Sequence, residues 1–195
     1  MNKQKIFCIG LNKTGTTSMA ETFRHLGFKI GDQRKGELLM YEYIDNKFDN
    51  IIELCKSADF FQDLPFSFPE TYKYLEKHFP EAKFILTVRD NPEQWYNSLY
   101  KFHQNLFFKG KKITPEFMKN ISYVEKGWNY KVFKIYNTPD DDLYNKEILI
   151  EFYKSHNENI INYFKNKQNK LLVINLSHKK SFDKFKDFLK ISNTN

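Results

Sequence analysis

The sequence has few cysteines and no long hydrophobic run, and both absences narrow what the protein can be. Its two cysteines, Cys8 and Cys55, lack the paired spacing of a metal site or a redox motif, so we expect both to be buried thiols. No apolar run approaches the roughly 18 residues of a membrane-spanning helix. A strand-like segment begins at Lys5 and leaves no room for a signal peptide. The sequence therefore predicts a cytoplasmic protein without membrane insertion.

Arginine is also scarce. The formal net charge is +7, but only three of the 31 basic residues are arginine. Arginine is the preferred side chain for bidentate recognition of phosphates and base edges, and the lysines are dispersed, with small clusters at 109–112 and 178–190. We therefore expect a solvated lysine-rich surface that favours anionic ligands, and no nucleic-acid groove.

Short apolar runs rich in β-forming residues alternate with helical patterns along the chain. The runs that suit buried strands are 5–9, 59–61, 83–88, 171–176 and, as a candidate fifth strand, 28–30. Helical patterns cover 16–26, the segment that begins at Asn91 and Pro92, and 143–164. The alternation predicts an α/β fold in three layers, with a central, mainly parallel sheet of four to five strands flanked by helices. We expect one domain over residues 1–195, with 109–142 as an irregular insertion or lid.

The segment GLNKTGTTS, residues 10–18, joins the first predicted strand to the first predicted helix. A glycine turn before a helix N-terminus points several backbone N–H groups at one place, which suits a phosphate or a sulfate. Lys13 adds a positive charge, and Gly15 allows close approach of the backbone. Further donors come from the hydroxyl residues Thr14, Thr16, Thr17 and Ser18. In the Walker loop the lysine directly follows the second glycine, whereas Lys13 precedes Gly15. An ordinary strand-to-helix turn with capping threonines is the alternative.

The order G-x-x-K-T-G-T-T-S resembles the 5′-phosphosulfate loop of the P-loop-type sulfotransferases that use 3′-phosphoadenosine 5′-phosphosulfate (PAPS). A second segment, FPEAKFILTVRDNPEQWYNSL at 79–99, is similar to that family's 3′-phosphate segment. There an arginine at a strand end and a serine on the next helix bind the 3′-phosphate. Arg89 and Ser98 occupy those positions, one residue further apart than is usual. The resemblance implies that the loop, Arg89 and Ser98 bind PAPS and its product, adenosine 3′,5′-bisphosphate (PAP).

The segment FFQDLPF, residues 60–66, resembles the family's strand that ends in Thr-His-Leu-Pro, in which the histidine is the general base. Asp63 stands at the place of the histidine. Partial desolvation by the neighbouring aromatic and proline residues would raise the pKa of Asp63 enough for it to accept a hydroxyl proton. Asp63 could instead be a turn residue or a helix cap, and Asp32 and His103 are the other candidates for the base.

The resemblance implies transfer of a sulfuryl group from PAPS to a hydroxyl, or an amine, of a small-molecule or glycan acceptor by in-line displacement. Lys13 would stabilise the charge on the leaving oxygen, Asp63 would remove the acceptor proton, and no metal is required. A P-loop small-molecule or nucleotide kinase that uses ATP and magnesium is the alternative, and a non-catalytic nucleotide-binding module is a third possibility. The acceptor and the oligomeric state have no signature in the sequence.

Overall fold

The computed structural model describes residues 4–109 and 113–191. Its strands are β1 (Ile6–Cys8), β2 (Phe60–Gln62), β3 (Lys83–Thr87) and β4 (Leu171–Ile174). They form one sheet in the order β2-β1-β3-β4, and every neighbouring pair is parallel. The predicted α/β fold with a central parallel sheet is therefore confirmed. The candidate strand at 28–30 is wrong, because that segment makes only an isolated parallel bridge between Ile30 and Phe60.

Helices occupy most of the remaining described chain. In order they are α1 (Thr16–His25), α2 (Gln33–Leu38), α3 (Met40–Ile44), α4 (Asp49–Cys55), α5 (Thr71–His78), α6 (Pro92–His103), α7 (Pro115–Asn120), α8 (Trp128–Ile135), α9 (Lys146–Phe164) and α10 (Ser181–Leu189). A π-helical turn, Gln104–Phe108, follows α6.

The prediction of an irregular stretch over 109–142 is wrong for its described part, which contains α7 and α8. Helix α7 begins at Pro115 after a cap, since Thr114 Oγ1 accepts a hydrogen bond from Phe117 N at 3.2 Å. Helix α8 buries Trp128, Val132 and Phe133 on one face, so the apolar residues of this segment follow helical spacing. Residues 110–112, within the lysine cluster, lie outside the described residues.

The chain divides into two compact units. The first contains the residues up to Asp90 and those from Asn157 onward, and the second contains 91–156. The whole sheet lies in the first unit. The single domain predicted over residues 1–195 stays a prediction.

Alternate residues of β1 pack on opposite faces of the sheet, as expected for a strand covered on both sides. Phe7 and Ile9 lie in one core cluster with residues of α4, α5 and the last turns of α9, and Phe7 packs against the ring of Phe84 at 5.6 Å. Ile6 and Cys8 lie in a second cluster with residues of α1 and α10. The first unit thus has helices on both faces of the sheet, which agrees with the three predicted layers.

The order of the strands predicts where a ligand-binding crevice lies. The chain passes from β1 to β2 on one side and then returns to β3 on the other side of β1. Ligands of open parallel sheets bind at the carboxyl ends of the strands where the order reverses in this way. At Gly10 the chain leaves no room for a side chain, because a Cβ atom would lie 2.3 Å from Thr87 Oγ1 and 2.4 Å from Thr87 O. The loop after β1 therefore leaves the sheet directly against β3.

Candidate active site

The loop after β1 has the backbone of an anion site. Lys13 has φ 67° and Gly15 has φ 102°, so two left-handed residues surround Thr14. Gly15 precedes α1, and no side chain caps this helix end. The first turn of α1 contains no acidic residue either. The N–H groups of that turn and the positive end of the helix dipole can therefore receive an anion.

Thr14 holds the loop against the sheet. Its side chain is 1% exposed, and its hydroxyl donates to the Leu11 carbonyl at 2.6 Å. The same oxygen lies 2.6 Å from Thr87 Oγ1. Because the proton of Thr14 is used on the carbonyl, Thr87 is the donor of that second bond. The hydroxyl of Thr14 thus fixes the loop to β3, and any contact of Thr14 with an anion would come from its backbone N–H.

The other hydroxyl residues of the loop differ in exposure. Thr16 is buried, whereas Thr17 and Ser18 are exposed. All three belong to the first turn of α1, so their backbone N–H groups lie at the same helix end. Their predicted contacts with an anion stay predictions.

Arg89 joins the end of β3 to this loop. Its Nε donates a hydrogen bond to the Lys13 carbonyl at 2.7 Å, across a sequence separation of 76 residues. The two cations are close enough that Arg89 lowers the pKa of Lys13. Burial is the larger cause of that lowering, and Asp63 acts in the opposite direction. Two neighbouring positive charges at an open helix end favour a multiply charged anion.

Asp63 follows directly after β2 and is half-buried. Its backbone is left-handed, with φ 62°, and its Oδ1 accepts a hydrogen bond from Leu64 N at 3.0 Å. Burial, and after it the charge of Glu37, raises the pKa of Asp63 to about 6, although the Leu64 N–H and Lys13 act against this shift. A carboxylate with a pKa near neutrality is suited to general-base catalysis.

The two other candidates for the base have structural roles. The Oδ1 atom of Asp32 accepts a hydrogen bond from Lys35 N at 3.0 Å and caps α2. His103 is buried in the second unit, where its Nδ1 lies 2.7 Å from the Tyr144 hydroxyl and its ring packs near Phe133. Asp63 therefore remains the candidate that has both a raised pKa and a position beside Lys13.

The structure brings Lys13, Asp63 and Arg89 together in the first unit. Ser98, the predicted partner of Arg89, lies half-buried on α6 in the second unit. The start of that helix follows its sequence signal, since Asn91 Oδ1 accepts a hydrogen bond from Gln94 N at 2.8 Å and Pro92 is the first helical residue. A role for Ser98 in binding the 3′-phosphate stays a prediction.

Sequence reasoning missed the contacts that hold the loop after β4. Asp90 Oδ1 accepts a hydrogen bond from Asn175 Nδ2 at 2.7 Å and lies 3.0 Å from His178 Nε2. Leu176 packs against the anion loop, because a Cβ atom on Gly15 would lie 2.6 Å from Leu176 Cδ1. The acidic residue directly after Arg89 was the available signal, but its partner lies 85 residues away.

A cavity of about 350 Å³ lies beside this loop in the first unit. It is bounded by α1, by the end of β4 and by α10, and its lining includes Met19, Leu176 and Phe182. Phe182 is 63% exposed. The cavity has the size of a small-molecule site, and its lining combines apolar residues with polar ones such as Thr22, His178 and Lys179.

Comparison with models of protein families identifies the family of this chain. A model described as "Sulfotransferase domain" matches residues 5–194. The chain belongs to the sulfotransferase domain family. The resemblance seen in the sequence is thus confirmed, and with it membership of an enzyme family that transfers sulfuryl groups, typically from PAPS, to small acceptors. A search of curated proteins found no match. Among the helices of 4–109 and 113–191, none is long and apolar enough to cross a membrane.

Proposed function

We propose that this sulfotransferase-family protein moves a sulfuryl group from PAPS to a hydroxyl or an amine of a small-molecule or glycan acceptor. Lys13 and Asp63 would be its catalytic residues. One observation carries the proposal: Lys13, Arg89 and Asp63 converge at the carboxyl ends of three adjacent parallel strands, beside a helix N-terminus that no side chain caps.

The residues of the first unit fit the anionic ends of PAPS. The backbone N–H groups of residues 14–18 and the hydroxyls of Thr17 and Ser18 would hold the 5′-phosphate. Arg89 would bind the 3′-phosphate. The cavity between α1 and α10 is a suitable place for the nucleoside, because it adjoins the anion loop through Leu176.

PAPS would supply the sulfuryl group, and PAP would be the second product of an in-line displacement. The ammonium group of Lys13 would stabilise the negative charge that develops on the leaving oxygen. Asp63 would take the proton of the acceptor, for which its raised pKa is suited. The mutual influence of Lys13 and Asp63 on their pKa values supports a shared site for the two roles. The scheme needs no metal.

Thermal unfolding with nucleotides tests the donor. A ligand that binds only the folded protein at about 100 times its Kd stabilises it by about 2.7 kcal/mol. We expect PAP to raise the melting temperature and ADP with magnesium to leave it nearly unchanged. Stabilisation by ADP with magnesium and none by PAP would contradict the proposal and favour a kinase.

Adenosine 5′-monophosphate isolates the role of Arg89, because it lacks the 3′-phosphate. We expect Arg89→Gln to lose most of the stabilisation by PAP and to keep that by adenosine 5′-monophosphate. Arg24→Gln is the matched control, since Arg24 is exposed on α1 and pairs with Glu21 of the same helix. An equal loss with both nucleotides would show that Arg89 acts only through its bond to Lys13. The acceptor class is then found by incubating labelled PAPS with a panel of phenols, sugars, peptides and amines.

A further inference from the structure

Glu37 is a buried carboxylate that the proposed mechanism does not use. Its side chain lies on α2 and the residue is 4% exposed. Helix α2 packs directly on the segment after β2, because a Cβ atom on Gly36 would lie 2.9 Å from the Leu64 carbonyl and 3.4 Å from Pro65 Cδ. This contact places Glu37 beside Asp63, close enough for its charge to act on that carboxyl.

A polar network fixes the position of the Glu37 side chain. Gln33 Nε2 donates to Glu37 Oε1 at 3.1 Å, and Arg34 Nη1 pairs with Glu37 Oε2 at 3.0 Å. Gln62 Nε2 donates to Gln33 Oε1 at 3.0 Å. The chain of side chains therefore runs from α2 to Gln62, the residue just before Asp63. Such a network keeps a buried carboxylate at a defined distance from its neighbour.

A buried carboxylate here has no evident benefit for stability. Burial raises the pKa of Glu37, although Gln33 and Arg34 oppose the shift. An ionised group removed from water costs free energy that its partners often do not recover in full, and an apolar side chain of similar size is often no worse. Because Glu37 lies beside Asp63, its carboxylate can influence proton transfer by Asp63.

We propose that Glu37 is a positioning residue: held on α2 against the segment after β2, it is the partner carboxylate of Asp63 and prepares Asp63 to take the proton of the acceptor. The inference rests on the proposed function, in which Asp63 is the base. It goes beyond that function by giving a role to a residue outside the motifs of the anion loop and of the strand ends.

Lys13 opposes the two influences that raise the pKa of Asp63, burial and the charge of Glu37. The ammonium group that serves the leaving oxygen also lowers the pKa of Asp63 and would weaken it as a base. Glu37 acts in the opposite direction. Among the described residues, Glu37 on α2 and Lys13 after β1 act directly on the carboxyl of Asp63, and Asp63 acts on the Cys8 thiol of β1. Arg34 acts in turn on Glu37, and Arg89 on Lys13. Among the described residues of this set, Glu37 is the carboxylate whose charge raises the pKa of Asp63.

A carbon-13 NMR titration of the aspartate carboxyl groups tests the inference without an acceptor. Asp63→Asn assigns the resonance by its loss. In Glu37→Gln, which keeps the size and an oxygen for Gln33, we expect the titration midpoint of Asp63 to fall by roughly one pH unit. Glu76→Gln is the matched control: Glu76 lies on α5 in the same unit and is bonded to Tyr163 and Lys167, so its loss should leave the midpoint unchanged.

An unchanged midpoint in Glu37→Gln would overturn the inference. The titration curve of the wild-type protein gives a second test, which does not depend on whether a variant folds. Two interacting carboxyl groups titrate in two steps. We expect the Asp63 resonance to show a second inflection, and a single-step curve would overturn the inference as well. Glu37→Asp keeps the charge and should restore most of the wild-type midpoint.

Turnover separates this inference from the proposed function. Full activity of Asp63→Asn would contradict the base itself, whatever the titration shows. Loss of activity in Asp63→Asn together with an unmoved midpoint in Glu37→Gln would contradict only the role of Glu37. With labelled PAPS and an acceptor found in the panel, the acid limb of kcat in Glu37→Gln should move to lower pH. The pH at the midpoint of this limb does not depend on the fraction of the enzyme that is folded.

Discussion

The loop after β1 and the segment after β2 lie at the ends of adjacent parallel strands, yet their chemistry is opposite. The first offers backbone N–H groups, an open helix end and the cations Lys13 and Arg89. The second offers the half-buried carboxyl of Asp63 with Glu37 behind it. One edge of the sheet can therefore receive negative charge at one strand and a proton at the next.

The two regions also differ in what holds them. The anion loop is fixed by short-range geometry: left-handed residues at 13 and 15, and the hydroxyl bonds of Thr14. The acidic region depends on burial and on contacts of α2 with the residues after β2. We therefore expect changes in the first region to act mainly on the leaving group, and changes in the second to act mainly on proton transfer.

Asp63→Asn should have the largest effect. Removal of a general base slows turnover by about 10²- to 10⁴-fold, while PAP binding should stay close to that of the wild type because Asp63 would act on the acceptor and not on the nucleotide. Transfer from labelled PAPS and calorimetric binding of PAP measure the two quantities. Asp32→Asn is the control, since asparagine is also a good helix cap. Normal turnover of Asp63→Asn would move the role to Asp32 or His103.

Lys13→Ala should have a somewhat smaller effect on turnover, and on a different step. Loss of a donor to a developing charge costs about 10²- to 10³-fold in kcat. The Lys13 carbonyl that accepts the bond from Arg89 is retained in this variant, so we expect PAP affinity to fall much less than kcat. Lys184→Ala, an exposed lysine of α10, is the control. An equal loss of affinity and kcat/KM with kcat unchanged would reduce Lys13 to a binding residue.

The same contrast explains which parts could be predicted from the sequence. The anion loop is local, since a strand, Lys13, Gly15 and a helix follow one another within a short segment, and the pattern alone indicated its chemistry. The bond from Arg89 to the Lys13 carbonyl joins residues 76 positions apart, and only the fold brings them together.

No pattern in the sequence indicated a role for Glu37. It lies in a six-residue helix of mostly polar residues, and its importance depends on the contact between Gly36 and Leu64. Helix α8 is a different case, because the spacing of Trp128, Val132 and Phe133 does place them on one buried face, although they lie in the stretch predicted to be irregular.

The smallest predicted effect is on the pH dependence of stability. It distinguishes Asp63 from a carboxylate that has an ordinary ion-pair partner. The pKa of Asp63 rises from 3.8 to about 6 on folding, so the folded chain binds more protons than the unfolded chain within that window. Stability from this group is then present at low pH and is lost as pH rises from 3.8 to about 6. Relative to the wild type, Asp63→Asn should therefore gain in melting temperature as the pH rises from 4 to 7.

Glu76→Gln should show the opposite sign. Burial alone would raise the pKa of Glu76, but hydrogen bonds from Lys167 and Tyr163 lower it below its usual 4.5. Its contribution is present above that value and is lost as pH falls through the lower folded pKa. Compared with the wild type, Glu76→Gln should therefore lose melting temperature as the pH rises. Parallel rather than diverging curves for the two variants in thermal unfolding would contradict the distinction. Diverging curves would mean that folding disfavours the charge on Asp63, as expected for a group held ready for proton transfer, and favours the charge on Glu76, as expected for one that only stabilises the fold.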